Sequence, residues 1–182
     1  GRLLKIVGAE KVLDLTYGRG SFYFYYRPKE LWGIDIHRHD WLVAPDKFIQ
    51  KDVEQLSDVA SINELPRGYF DAVVVDPPYS THRVVTRHDL LYAGDCHTVL
   101  ANTPRIARHV LRKGGFVIVK IMDAKKRGKL RYECSHFEAY QLFTEQGFAL
   151  RDVIIWRFFV KRRPVNSGNK VLTTHTYVML FA

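Results

Sequence analysis

Apolar residues fall in short runs separated by polar turns. Lys11–Leu15, Leu31–Ile36, Phe48–Val53 and Phe70–Asp76 are bounded by glycine, proline or charge, which predicts four strands. The fourth, Phe70-Asp-Ala-Val-Val-Val-Asp76, is apolar almost throughout, as a strand covered on both faces must be. From His97 to Arg112 the period changes. Val99, Leu100, Ile106, Ala107, Val110 and Leu111 recur at helical spacing, and Lys113-Gly114-Gly115 supplies a stop. Phe116–Ile121 reads as a fifth strand and His136–Gln146 as a helix stopped by Gly147. Val153–Val160 and Val171–Phe181, joined by the polar turn Pro164–Lys170, predict an antiparallel hairpin. Ser80–His97 has no clear period and reads as a loop.

Five consecutive aromatics, Phe22 to Tyr26, follow a turn with two glycines. Phe22, Tyr25 and Tyr26 at i, i+3, i+4 predict a helix laying that face on the sheet, ended by Arg27-Pro28. Tyr23 and Phe24 fall on its other faces, as candidate contacts. Strands alternating with helices imply an α/β fold, a mainly parallel sheet covered on both faces, with the closing hairpin adding antiparallel strands at one edge. Without repeats or linkers, the expectation is one domain over residues 1–182.

Composition narrows the class. With 47% hydrophobic residues the chain can build a sizeable core, yet no apolar run approaches the roughly 20 residues of a membrane span. Gly1–Gly8 has neither the length nor the cleavage site of a signal peptide, and Gly1 is not an initiator methionine. Cys96 and Cys134 are the only cysteines, too few for a disulfide framework, so the expected compartment is the cytoplasm. The net charge of +9 favours a polyanionic partner, nucleic acid above all. It is unevenly spread. Arg105 to Arg131 holds ten Lys and Arg against one acid, Asp123, and Arg157 to Lys170 holds five with none.

In a parallel sheet ligands gather beyond the carboxyl ends of the strands, so residues just after each strand are the candidates. Asp14-Leu-Thr-Tyr-Gly-Arg-Gly20 follows the first strand, and Gly18 and Gly20 permit positive φ and close backbone approach. The third glycine of a dinucleotide fingerprint is missing, so no pyrophosphate need be held. Alone, this pair describes no more than a β-turn. Asp35, beside Ile36, ends the second strand where an acid can accept from both ribose hydroxyls. Asp52, beside Val53, ends the third and can accept from an adenine amine. Together they describe a pocket for an adenosine-containing ligand without phosphates.

Asp76-Pro77-Pro78-Tyr79 follows the fourth strand and is the most specific signal in the chain. The prolines stiffen the backbone, so a fixed carbonyl and an acidic side chain can together accept both hydrogens of an NH₂ group. Tyr79 offers a face on which an extruded base can stack. These residues resemble the Rossmann-like, S-adenosylmethionine-dependent amino-methyltransferases, whose signature is (D/N/S)-P-P-(Y/F/W). The resemblance runs from about Val12 to the end. It implies a seven-stranded sheet with an antiparallel final strand. It also implies a donor site from Asp14, Thr16, Tyr17, Gly18, Gly20, Asp35, Ile36, Asp52, Val53 and Asp76, and catalysis by Asp76, Pro77, Pro78 and Tyr79. Thr16 stands where the family often has Phe, and the family's extra donor-binding segment is either missing before Gly1 or contained in Leu3–Val7. Nothing here has the size of a target-recognition domain; the only insertions are about 80–97 and 124–134.

The expected reaction is methylation of an exocyclic base amine, cytosine N4 or adenine N6, in RNA, with DNA the runner-up. Guanine N2, a protein glutamine, and a silent RNA-binding fold are the remaining alternatives. Arg83, Arg87, Lys120, Lys125, Lys126, Arg127, Lys129 and Arg131 are the candidate phosphate and substrate contacts. No metal is required. Cys96 lies outside any Pro-Cys motif, and the histidines of His37-Arg38-His39, with His82 and His88, suit surface or base contacts better than zinc. Oligomeric state is not legible.

Overall fold

The computed structural model describes residues 1–56, 59–78, 95–125, 132–133, 135–157 and 175–182. Seven strands form one sheet: β1 (Lys11–Asp14), β2 (Glu30–Asp35), β3 (Lys47–Gln50), β4 (Phe70–Val75), β5 (Leu111–Ile121), β8 (Leu150–Arg157) and β9 (His175–Phe181). Their order is β3-β2-β1-β4-β5-β9-β8. A separate antiparallel pair is made by β6 (Ala124–Lys125) and β7 (Tyr132–Glu133). The helices are α1 (Arg2–Ile6), α2 (Val59–Ile62), α3 (Cys96–Val110) and α4 (Ser135–Glu145).

The central strands are apolar because the sheet is covered on both faces. Val12, Leu13, Ala72, Val73, Val75, Val117 and Val119 are fully buried. On one face α3 and α4 complete a core with Leu13, Val73, Val117, Phe143 and Phe181, where the last two rings stack at 4.5 Å. On the other, Leu4 of α1 packs with Val12, Tyr17, Tyr23, Leu31 and Val74. β1, β2, β3, β4 and β5 are parallel neighbours. β9 inserts antiparallel between β5 and β8, so of the closing pair only the last strand runs against the rest. The register pairs Asp14 with both Gly33 and Val74, and Val75 with Val119, which aligns the carboxyl ends of these strands on one edge. Among the described residues no helix is long and apolar enough to cross a membrane.

Three local expectations need correction. The aromatic run forms no helix: only Ser21–Tyr23 makes a 3-10 turn. Tyr23 drops into the core, while Phe24 and Tyr25 are exposed and Tyr26 bonds the Ala9 carbonyl at 3.0 Å. The turn between α3 and β5 lacks the predicted glycine stop. α3 ends at Val110 and β5 starts at Leu111, so Gly114, at φ 74°, falls in a strand start where the pairing with β4 shifts register. The third strand ends at Gln50, because Asp52 turns the chain by capping a 3-10 turn, Val53–Gln55.

Candidate active site

A cavity of about 490 Å³ opens at the carboxyl edge. It is within the range of small-molecule and cofactor sites. Of the predicted donor residues, Thr16, Tyr17, Gly18, Asp35, Ile36, Asp52, Val53 and Asp76 line it. Pro77, Pro78 and Lys120 line it too. Turns from four strand ends therefore converge on one space, which the parallel register makes inevitable.

The loop after β1 is held from several sides. Asp35 Oδ2 accepts from the Gly18 N–H at 2.7 Å and Oδ1 from the His37 N–H at 3.1 Å, with His39 Nε2 3.6 Å away. The carboxylate is thereby fixed on the cavity wall. Gly18, at φ 56°, lines the cavity, and nothing lies within 4 Å of where a Cβ would be. Gly20 plays a different part from the one expected. At φ 72° it leads into the 3-10 turn, off the cavity wall, and a Cβ there would run into the Val43 carbonyl and the Tyr17 ring.

Asp14 also lies off the cavity. It is fully buried beneath the loop, accepting from the Thr16 N–H at 2.9 Å and the Tyr23 hydroxyl at 2.7 Å. Burial pushes its carboxyl up to about 7, against the two hydrogen bonds, with Asp76 and Asp35 adding to the rise. The same burial, with Asp14 beside it, raises the Tyr23 phenol well above its ordinary value. Asp52 lines the cavity while its Oδ1 accepts from the Glu54 N–H at 2.9 Å, so it shapes the turn as well as the wall.

Thr16, unusual in the resemblance, has a visible role. Its Oγ1 accepts from the Asp76 N–H at 2.7 Å, tying the loop after β1 to the turn after β4. Asp76 Oδ2 in turn meets Lys120 Nζ at 2.7 Å. That ammonium lies 5.3 Å from the ring centroid of Phe22, which also lines the cavity.

Tyr79, Arg83, Arg87, Lys126, Arg127, Lys129 and Arg131 lie outside the described residues, and Lys125 is described only as backbone of β6. The residues alone did not mark Leu15, Arg19, Ser21, Phe22, Leu42, Lys51, Glu54 and Val99 as lining the cavity. Of these Lys51, next to Asp52 at a strand end, carried a positional signal. Leu42 and Val99 reach the cavity through the loop after β2 and through α3, which no motif marks. Cys96 is buried at the start of α3. α1, the candidate extra donor segment, contributes no lining residue. Among the described residues no group of three or more His, Cys, Asp or Glu is arranged to hold a metal.

Ile36, Leu42 and Val53 offer apolar walls, Asp35 an anchored acceptor, and Gly18 open space beside the backbone. These residues fit an adenosine-bearing methyl donor.

The fold is that of a Rossmann-like methyltransferase. A family model, FtsJ-like methyltransferase, matches residues 2–144, and the chain belongs to that family. It is a methyltransferase enzyme whose donor is S-adenosylmethionine. Solved structures share the fold. A SAM-dependent methyltransferase from Archaeoglobus fulgidus aligns with TM-score 0.54 and 14% identity, covering 99% of this chain and 90% of that one. Aeropyrum pernix fibrillarin, with S-adenosyl-L-methionine bound, aligns with TM-score 0.50 and 13% identity over 94% and 66%. A provisionally assigned DNA modification methylase from Thermus thermophilus gives TM-score 0.49 and 21% identity over 71% of this chain, which spans 49% of that chain's length. No curated protein matches the sequence.

Proposed function

We propose that the enzyme methylates the exocyclic amine of a nucleobase, cytosine N4 or adenine N6, in RNA. The observation that carries this reading is the Asp76-Pro77-Pro78 turn lining the same cavity as the Gly18 loop and Asp35. An aromatic amine is a poor nucleophile because its lone pair is delocalised into the ring. A carboxylate and a stiff carbonyl that accept its two hydrogens favour a pyramidal nitrogen and free that lone pair.

In this account the base leaves its stack and stands edge-on to Asp76. Asp76 accepts one amine hydrogen and the Pro77 carbonyl the other. Lys120, at 2.7 Å, donates to Asp76 Oδ2 and holds its carboxyl plane. Thr16 holds the Asp76 backbone against the donor loop, so the two halves of the site keep one spacing. The donor, when bound, supplies an electrophilic sulfonium methyl. As the N–C bond forms, the methyl–sulfur bond would break to leave a neutral thioether, and the nitrogen sheds a proton, which Asp76 is placed to receive. Tyr79 is proposed as the stacking face. The +9 charge supports a nucleic-acid substrate, and Lys120 with the Lys125–Arg131 segment is proposed to meet it. The compartment proposed is the cytoplasm, and the unit proposed is one domain.

The Lys120–Asp76 pair favours a second reading, a ribose hydroxyl target. A hydroxyl has its lone pair available but must lose a proton, and a lysine beside an acid can orient it. Substituting Asp76 with Ala tests catalysis by this turn: methyl transfer should vanish while RNA binding persists. Surviving activity, or loss of binding with it, would overturn the assignment.

A further inference from the structure

We propose that the first turn of α4, backed by Tyr177 of β9, is a stacking platform for an unpaired RNA base flanking the one that enters the cavity. The proposal rests on the nucleobase reading above and names a contact of that substrate outside the transfer site.

Four rings run in sequence. Phe137 lies on His136 with centroids 4.4 Å apart and 34° between planes, and His136 lies on Tyr177 at 4.2 Å and 23°. His175 meets Tyr177 edge-on at 5.1 Å, with its Nε2 3.1 Å from the phenol oxygen. The stack is anchored at depth. His136 Nδ1 sits 2.7 Å from Oδ1 of Asp123, which is 4% exposed, and that oxygen also accepts from the His136 N–H at 3.3 Å.

The outer end is open. Phe137 is 61% exposed and Tyr140, one helical turn along, 44%, whereas α4 buries Ser135, Ala139 and Phe143 against the core. The exposed rings thus add little to the fold. A surface phenylalanine backed by a fixed imidazole is held in one orientation before any ligand arrives, which is what flat-on recognition of a base needs.

The position suits a neighbouring nucleotide. Tyr177 pairs with Ile121 and Val119 with Val75, so the inner ring of the platform stands on the second strand from β4, about 10 Å from it at ordinary strand spacing. In sequence, the eleven residues before Ser135 carry Lys125, Lys126, Arg127, Lys129 and Arg131 against one acid, Glu133, a balance that suits a phosphate backbone. Charge of this sign argues for a nucleic-acid strand over a second, equally basic copy of the chain.

The test titrates the full chain, with S-adenosylhomocysteine present, against a single-stranded RNA of mixed sequence carrying 2-aminopurine, whose fluorescence falls on stacking. The wild type should bind and quench. Phe137→Ala should weaken binding about tenfold and remove most of the quench, and Phe137→Trp should restore both. Calorimetric donor binding should be unchanged in each variant, which reports an intact fold. Wild-type binding and quenching by Phe137→Ala would overturn the platform and leave the nucleobase reading standing. No RNA binding by the wild type would overturn both. A change in self-association by sedimentation, with RNA affinity unmoved, would assign the face to a contact between copies and defeat the proposal.

Discussion

Lys120 Nζ and Asp76 Oδ2 stand 2.7 Å apart with both side chains about one-fifth exposed, so the acid at the transfer position is paired by an ammonium from the neighbouring strand. Removing one member of a largely buried pair leaves the other desolvated and misaligned. Lys120→Met is therefore expected to lower kcat about 100-fold, the scale seen when one preorganised polar partner is lost from a site. Donor affinity, measured by calorimetry, should stay within about threefold. Near-normal turnover would show the pair to be incidental.

Thr16→Val removes the acceptor of the Asp76 N–H while keeping the shape of the side chain. A lost hydrogen bond at a part-buried position costs about 1–3 kcal/mol. Since the bond joins two loops, kcat should fall more than donor affinity. The kinetic split between kcat and the donor KM checks this. An equal effect on both would place Thr16 in donor binding alone.

Gly33 lies in the middle of β2 against the Tyr17 ring, and an added Cβ would come 2.5 Å from Tyr17 Cγ. Tyr17 has little room to retreat, because its hydroxyl donates to the Val43 carbonyl at 2.7 Å and its ring stacks on Tyr23 at 5.7 Å. Gly33→Ala should lower stability by about 1–3 kcal/mol and displace the donor loop. Thermal unfolding and donor titration should both shift.

Asp14 sets a pH dependence of stability. Its carboxyl is pushed by burial from the ordinary 3.8 up to about 7. Between those values the folded protein keeps a proton that the unfolded chain has released, so this group's contribution is greatest below about pH 4. It is lost as pH rises to about 7, and then levels off. The loss is on the order of 4 kcal/mol. Asp14→Asn keeps an acceptor for the Thr16 N–H and cannot ionise. Urea unfolding from pH 5 to 8 should show the variant gaining on the wild type as pH rises. A constant difference between the two would contradict this account of Asp14.

Much of this was readable from residues, and the failures have physical causes. β1 and β4 were legible because both faces are covered, so their central residues, Val12-Leu13 and Ala72–Val75, are all apolar. Strand ends then placed Asp35 and Asp76 at the cavity without further information. The aromatic run misled because helical period was assumed after Gly20. A single 3-10 turn aims Tyr23 inward, where the Asp14 carboxyl accepts its hydroxyl, and leaves Tyr25 outside under the Arg2 guanidinium, 5.3 Å from its ring. The same turn explains why Asp14, expected in the pocket, lies beneath it. The Lys120–Asp76 pair depends on the register of Val75 with Val119, a relation between distant segments that no local pattern records. The His136–Tyr177 stack likewise joins residues brought together only by the insertion of β9 beside β5.

The central claim is methylation of a base amine in RNA. Its most direct test is incubation of the enzyme with methyl-labelled S-adenosylmethionine and total RNA, with genomic DNA in parallel, followed by digestion and nucleoside analysis by mass. The account predicts label in N4-methylcytidine or N6-methyladenosine from RNA, absent with Asp76→Ala. Label confined to ribose-methylated nucleosides, to DNA or to protein would contradict it.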